Sequence, residues 1–459
     1  MNQTMTTSTV KQQYEELPYP PRDPADERQR LLHTVGDDLT ELNHYCFKGK
    51  QNFQDHFRCL VAGGGTGDSV IFLAEQLRHT NAEIVYLDLS QASRQIAEQR
   101  AQIRELANIQ WVTASLLDIP KLGLGTFDYI NCSGVLHHLP EPAQGLQSLA
   151  SVLRDDGALF LMLYARYGRR GVYDMQEIFR TLLPEKMPAQ DKIAQARALL
   201  NQLPATNYFQ RNRDQWESEI GAKGYGDVGG YGYGDAGLYD LLLHSQDRAY
   251  DVDALYELLQ TADMQLVDFT GPDKRRYQPK NLLSNPSTLG LCENLSRRQQ
   301  FSVAEKLTGN IIKHMFYAAK SPDRSATIED YVGNPALCIV LTAEMKGKHE
   351  QIHQAIVPGE TLTITYTLDH QQEVIHLPGN AITLRNKQEV FQLPGNAINK
   401  LLFKYFDGTT PIEKMISKVK IKTGNGNSQL IKAEIEKAFA LLHSMGWAYL
   451  CNSPASKNP

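Results

Sequence analysis

The tightest constraint on this chain lies at Val61-Ala62-Gly63-Gly64-Gly65-Thr66-Gly67-Asp68, where a short apolar run, Cys59-Leu60-Val61-Ala62, meets a cluster of glycines and a helical pattern follows. Glycines at 63, 65 and 67 let the backbone turn sharply and approach a ligand with no Cβ in the way. Strand, glycine turn and helix in that order open a βαβ unit. Such a unit commits the following chain to a mostly parallel sheet with right-handed crossovers. The spacing here is G-x-G-x-G, which differs from the G-x-G-x-x-G that cradles a dinucleotide pyrophosphate.

The pattern continues as the turn requires. Apolar runs predict strands over 83–89, 109–114, 127–132 and 158–164, with helices over 69–77, 91–106 and 143–153 between them and a turn at Asp155-Asp156-Gly157. After Tyr164 the alternation breaks into an insertion of about 165–250, partly helical, carrying a glycine–tyrosine tract at 224–234 that reads as a lid or a linker. The pattern resumes with a helix over 252–261 and a strand over 265–269. A second insertion, about 270–312, holds a helix over 297–308, and a last strand is expected at 314–319. A first domain is therefore bounded at 57–321.

Residues 1–56 read as an N-terminal segment: 1–13 without order, then 14–24, whose closely spaced prolines predict an extended run lying across the protein body, then a short helix over 26–32. Residues 328–459 change character. Alternating apolar and polar residues predict strands within 336–391, and Leu-Pro-Gly-Asn-Ala-Ile occurs at both 377–382 and 393–398. Helices over 397–405, 411–419 and 429–445 and a closing strand at 447–450 give a smaller α+β domain whose end is similar to a winged-helix module.

A formal net charge of −5 offers no global field to recruit nucleic acid, and Lys and Glu alternate through 432–437 where a winged helix would need a basic face, so a nucleic-acid partner is disfavoured. The six cysteines are scattered with no C-x-x-C pair, which argues against a zinc site and a disulfide framework and for a reducing, cytoplasmic setting; no metal site is expected. The N-terminus lacks a signal-peptide pattern, and no apolar run approaches the roughly 20 residues of a membrane span.

Three further motifs follow the glycine turn. Asp88 ends the second strand, about 20 residues on, where a carboxylate can accept both hydroxyls of a ribose. Asp118 lies in Ala114-Ser-Leu-Leu-Asp-Ile-Pro120 after the third strand, and Phe127-Asp-Tyr-Ile-Asn-Cys-Ser-Gly-Val-Leu-His-His-Leu139 forms the fourth motif. On these residues, 57–164 resemble the core of the class I S-adenosylmethionine-dependent methyltransferases. The resemblance implies an α/β, Rossmann-like seven-stranded sheet with helical insertions, and S-adenosyl-L-methionine as cofactor. By the same resemblance Gly63, Gly64, Gly65 and Gly67 line its methionine portion, and Asp88 with Leu89 holds the ribose. Leu117 and Asp118 frame the adenine, and Ser133 and Gly134 face the sulfonium.

Candidates for chemistry cluster after the fourth and fifth strands. His137 and His138 have the near-neutral pKa of a general base, and Tyr164 ends the fifth strand beside them. Arg166, Arg169 and Arg170 overhang the expected acceptor pocket, either as a clamp for an anionic group or as a solvated face. His244, Asp247 and Arg248, in Leu243-His-Ser-Gln-Asp-Arg-Ala-Tyr250, either cap the next helix or close the site. Asn131-Cys132-Ser133-Gly134 lacks the prolines and aromatic of D/N-P-P-Y/F, which disfavours adenine or glutamine-amide acceptors. The appended module and wide insertion favour a protein or peptide side chain, nitrogen first, as acceptor. A small-molecule acceptor, or a non-catalytic cofactor-binding protein, are the alternatives.

Overall fold

The computed structural model describes residues 10–221, 233–342, 345, 349–357, 359–368, 373–376, 388–394, 396–444 and 446–452. Most of the glycine–tyrosine tract and the first Leu-Pro-Gly-Asn-Ala-Ile copy lie outside the described residues. The chain divides into two compact units, one of residues up to Asp38 with Phe53–Asp323, the other of Leu39–Asn52 with Arg324–Pro459.

The first unit is built on β1 (Arg58–Ala62), β2 (Glu83–Asp88), β3 (Ile109–Thr113), β4 (Phe127–Ser133), β5 (Leu153–Tyr164), β6 (Gln265–Phe269) and β7 (Lys313–Ala319). They form one seven-stranded sheet in the order β3-β2-β1-β4-β5-β7-β6. β1 to β5 pair in parallel, and β7 runs antiparallel between β5 and β6. This is the Rossmann-like α/β sheet expected from the sequence. Helices cover it, so the middle of its strands is largely apolar: Leu60, Val85, Ile130, Leu161 and Phe316 are all buried in one core. Burying each such side chain contributes about 1.5–3 kcal/mol. The strand order reverses between β1 and β4, so the loops after them diverge and leave a crevice at the carboxyl edge.

Two local readings are corrected. Asp155-Asp156-Gly157 is no turn: β5 begins at Leu153 and runs through it, with a register shift between Phe127 and Tyr129 of β4. A Cβ at Gly157 would stand 2.9 Å from the Asp128 carbonyl, so glycine there permits close strand approach. Residues 10–16 are helical, where 10–13 were expected without order and 14–16 extended, because the prolines begin only at Pro18 and restrict the chain from Leu17 onward.

The insertion after β5 folds into helices Arg170–Leu182 and Ala189–Leu200 around a core that includes Phe179, Trp216 and Leu241. It returns through Gly234–Leu238 into a wide π-helical turn, Tyr239–Leu243.

The second unit places β8 (Leu337–Leu341) antiparallel to β12 (Ala448–Asn452), and a separate sheet of β9 (Thr361–Leu368), β10 (Glu373–His376) and β11 (Gln388–Pro394). Helices Ala397–Tyr405, Ile412–Thr423 and Ser428–Ser444 pack Leu402, Met415, Ile435 and Trp447 into its core. A helix, His349–Ala355, interrupts the stretch read as continuous strands; His-Glu-Gln-Ile-His-Gln-Ala has one β-branched residue and ordinary helix formers. The segment read as 1–56 is split, since helix Leu39–Cys46 belongs to this unit. His44 packs edge-on against His443, and the Asn452 backbone N–H donates to the Gly49 carbonyl at 2.7 Å. All six cysteines are buried and none forms a disulfide. Among the described residues no helix is long and apolar enough to cross a membrane.

Candidate active site

A cavity of about 420 Å³ opens at the crevice between β1 and β4. Its walls are the loops after β1, β2, β3 and β4, closed on one side by residues from the N-terminal segment and the insertion.

The glycine turn forms one wall. Gly63 and Gly65 adopt φ of 78° and 52°, and a Cβ at Gly63 would stand 2.2 Å from a Val135 methyl. Gly65 is covered from outside: its Cβ would stand 2.8 Å from the Tyr19 carbonyl. The Asp88 carboxylate reaches across from β2 and accepts the Gly65 N–H and the Ser90 N–H, both at 2.8 Å. Burial raises its pKa while these bonds oppose the rise. Leu89, Leu117, Ser133 and Gly134 complete this part of the lining. Ser133 donates to Asn131, whose amide is in turn committed to buried Asp37 at 2.8 Å.

Gly67 does not line the cavity; it starts helix Asp68–Gln76 at φ 105°, where a Cβ would meet that of Ala97 at 2.8 Å. Asp118 is exposed on the short helix after β3 and is not part of the wall, although its neighbour Leu117 is.

The opposite end holds His138, Tyr164, Tyr233 from the tract read as a lid or a linker, and two residues that sequence reasoning did not single out for the site, Tyr14 and Asp240. Asp240 is 3% exposed and sits on the π-helical turn. It accepts the Tyr14 hydroxyl at 2.9 Å and the Tyr164 hydroxyl at 3.3 Å. Burial raises its pKa, and the adjacent His138 opposes the rise. The signal for Asp240 was a lone carboxylate inside Leu238-Tyr-Asp-Leu-Leu-Leu243. For Tyr14 it was only the tyrosine content of its segment.

His138 Nδ1 donates to the Gln246 carbonyl at 2.8 Å, so neutral His138 carries a lone pair on Nε2. His244 lies stacked on His138 at 3.8 Å and accepts the Gln246 backbone N–H on Nδ1 at 3.0 Å, which leaves its proton on Nε2. His244 is therefore one shell back from the cavity and is reached through Tyr14. His137 is buried behind the Tyr164 ring, 4.0 Å between centroids, and neither of its ring nitrogens meets a hydrogen-bond partner. Burial lowers its pKa well below the ordinary imidazole value.

The arginines expected to clamp an acceptor are spent elsewhere. Arg166 pairs with Asp251 at 3.0 Å, and Arg170 lies 5.1 Å over the Tyr208 ring. Arg169 is buried, 3.5 Å over the outer face of Tyr164 and 3.7 Å from Asp247. Asp247 also accepts from Gln176 at 2.9 Å, and Arg248 is exposed beside Tyr250. None of the five lines the cavity. Arg169 braces Tyr164 by a cation–π contact instead.

Two clusters bring metal-ligating side chains together, His137–His138–Asp247 and His138–Asp240–His244. The second fails on its proton inventory, since His244 Nε2 bears a hydrogen and has no lone pair to give. The first has the Arg169 guanidinium beside its carboxylate, where a further cation would be repelled.

Comparison with known proteins finds methyltransferases. Residues 60–159 match the family model described as a methyltransferase domain. An uncharacterized protein of Synechococcus is 32% identical over 269 residues, 58% of this chain and 60% of that protein. A ubiquinone biosynthesis O-methyltransferase of Albidiferax ferrireducens is 26% identical over 132 residues, 28% of this chain and 48% of its own length. A tRNA 5-carboxymethoxyuridine methyltransferase of Escherichia coli is 33% identical over 112 residues, covering 24% and 41%. The chain thus spans less than two thirds of these relatives. PKMT2 from Rickettsia typhi has the same fold, with a TM-score of 0.61 at 15% identity over 90% of this chain and 76% of that one; its structure is also known in complex with AdoHcy. The sheet, its strand order and the matched domain define the first unit as a class I S-adenosylmethionine-dependent methyltransferase domain.

Proposed function

We propose that this chain transfers the methyl group of S-adenosyl-L-methionine to a side-chain amine of a protein or peptide. The acceptor class rests on Asp240, a buried carboxylate at the end of the cofactor cavity that accepts the hydroxyls of Tyr14 and Tyr164 and is paired with no arginine or lysine among the described residues. A buried carboxylate is costly without a cation. Tyrosine faces and hydroxyls around it suit an ammonium group, which both the charge and the ring quadrupoles attract.

In this reading Gly63, Gly64 and Gly65 cradle the methionine portion, and Asp88 with Leu89 takes the ribose. Leu117 would lie against the adenine, and Ser133 and Gly134 would face the sulfur, while Asp118 stays outside the wall. Their fit is supported by the cavity itself: a side chain at Gly63 would collide with Val135, which also lines the cavity, and Asp88 is held in the lining by two backbone donors. When bound, S-adenosylmethionine supplies a methyl group activated by its sulfonium. Transfer of that methyl group to nitrogen would leave the electron pair of the broken carbon–sulfur bond on sulfur. The chain aligns the acceptor and removes its proton. Asp240 draws in the ammonium, and His138 Nε2, the free imidazole lone pair in the chamber, receives the proton that makes nitrogen nucleophilic. His244 and His137 act only through neighbours.

A small-molecule amine or hydroxyl acceptor is the second reading, favoured by the O-methyltransferase named among the relatives. The test is to incubate the protein with methyl-labelled S-adenosylmethionine and a bacterial lysate, with Asp88→Ala as control, then separate proteins from small molecules and treat labelled proteins with alkali. Base-stable label in protein supports amine methylation. Base-labile label points to a carboxylate ester, and label confined to the small-molecule fraction supports the second reading.

A further inference from the structure

The strap of residues 10–24 is fastened at both ends of the cavity. On the cofactor side Thr66 Oγ1 donates to the Pro20 carbonyl at 2.6 Å, and Arg22 grips Asp68 at 2.6 Å. The Glu15 carboxylate caps helix Gln91–Ile103, accepting the backbone N–H groups of Gln91 and Ala92 at 2.7 and 3.1 Å. On the other side Tyr19 donates to Glu219 at 2.7 Å and Tyr14 reaches Asp240.

The hydrogen-bond directions at Tyr14 are set by groups with only one choice. The Gln246 N–H must donate, so His244 Nδ1 accepts and its Nε2 carries the proton. That Nε2 lies 3.3 Å from the Tyr14 oxygen, and the hydroxyl then has one direction left, toward Asp240 at 2.9 Å. The chain His244 → Tyr14 → Asp240 is therefore polarised toward the carboxylate.

The geometry points to Tyr14 as a positioning residue of the acceptor chamber, one that holds Asp240 ionised and aimed at the acceptor through this directed relay, so that the chamber is complete only while the strap is seated. The inference rests on the reading of Asp240 as the carboxylate that receives an amine. It explains why a residue from the N-terminal strap contacts the far end of the cavity, and why His244 is kept neutral with a fixed tautomer. The groups facing Asp240 are Tyr14 and Tyr19 from the strap, Tyr164 from β5, His138 after β4, and Glu219, His244 and Asp247 from the insertion, with Lys313 of β7 in the same cavity wall. Lys313 on β7 is 3.9 Å from Glu219. The carboxylates and burial push Asp240 toward its protonated form; Tyr14 and His138 oppose them.

The experiment is the pH dependence of label transfer from methyl-labelled S-adenosylmethionine into lysate protein, from pH 5.5 to 9.5, for the full chain, Tyr14→Phe and Asp240→Asn. Removing the Tyr14 hydroxyl should leave Asp240 protonated to higher pH. The acid limb of Tyr14→Phe should then move up by at least half a pH unit, with most of the loss at pH 6 regained at pH 9. Arg22→Gln, which loosens the strap at Asp68 and also releases Tyr233 but leaves the Tyr14–Asp240 bond in place, should move the limb in the same direction by less. A Tyr14→Phe profile that superimposes on the wild type, or one lowered equally at every pH, overturns the inference. If Asp240→Asn keeps the wild-type rate and profile, the amine reading itself has failed, whatever Tyr14→Phe does.

Discussion

The Gly65 N–H and the Asp88 carboxylate are joined by a hydrogen bond of 2.8 Å that ties the glycine turn after β1 to the end of β2. Two motifs that sequence spacing read separately are one piece of structure. The bond orients the carboxylate inward before any ligand arrives, so little reorganisation is needed on binding.

Asp88→Ala should therefore lose cofactor affinity and some stability together. Hydrogen bonds to a charged group contribute about 1.5–3 kcal/mol, so AdoHcy binding measured by titration calorimetry should weaken roughly 10- to 100-fold. Asp88→Asn retains an acceptor oxygen and should lie between. Wild-type affinity in Asp88→Ala would show that the carboxylate does not meet the ribose.

Gly67 tests a different role from its neighbours. It stands at φ 105° with Ala97 2.8 Å from the would-be Cβ, and it is outside the cavity. Gly67→Ala should cost about 2 kcal/mol through strain and overpacking in urea unfolding, while AdoHcy affinity of the folded fraction stays near wild type. Adding Ala97→Gly should recover the steric part but not the backbone part. Full recovery would mean that φ is relaxed at this site.

Legibility in the sequence followed the range of the interactions. β1 to β4, the helices between them and the glycine turn are local patterns, and helix Arg297–Thr308 has the bounds its Ser296 cap and Gly309 stop imply. Asp118 was read as facing the cofactor because its spacing suits it, but spacing does not say that Leu117 turns inward and Asp118 outward. The arginines were chosen for charge. Charge cannot reveal that Asp251, Asp247 and two tyrosine rings already occupy them. Tyr14 and Asp240 are 226 residues apart, and no local pattern connects them.

The two adjacent histidines should separate cleanly. His138→Gln removes the free lone pair in the chamber and should lower kcat by 10²- to 10⁴-fold, the range for general-base catalysis, with AdoHcy affinity retained. His137→Leu fills the space behind Tyr164 with an apolar side chain. It removes two buried nitrogens that have no partner, so stability in urea should hold or rise and kcat should change little. The reverse ranking in kcat would move the base to His137.

A buried pair under the β6–β7 edge should shape the pH dependence of stability. Glu305 and His314 are both fully buried, 3.4 Å apart. His314 donates to the Tyr250 carbonyl at 3.0 Å and accepts the Tyr277 hydroxyl at 2.7 Å, so it is held neutral. Burial pushes Glu305 up to about 7 and His314 down to about 4. Between about 4.5 and 7 folded Glu305 keeps a proton that the unfolded chain has released, so its contribution is full below that window and is lost as pH rises through it. Between about 6.5 and 4 the unfolded chain gains a proton that folded His314 refuses, so stability falls as pH drops. The two slopes oppose each other over their shared range, and the pair should leave stability nearly level there. Glu305→Gln keeps the shape and removes one slope. Relative to wild type its urea stability should gain about 3 kcal/mol on going from pH 4.5 to 7.5. A difference curve that is flat over that range would mean that Glu305 is ionised in the folded protein, with a proton on His314 as its counter-charge.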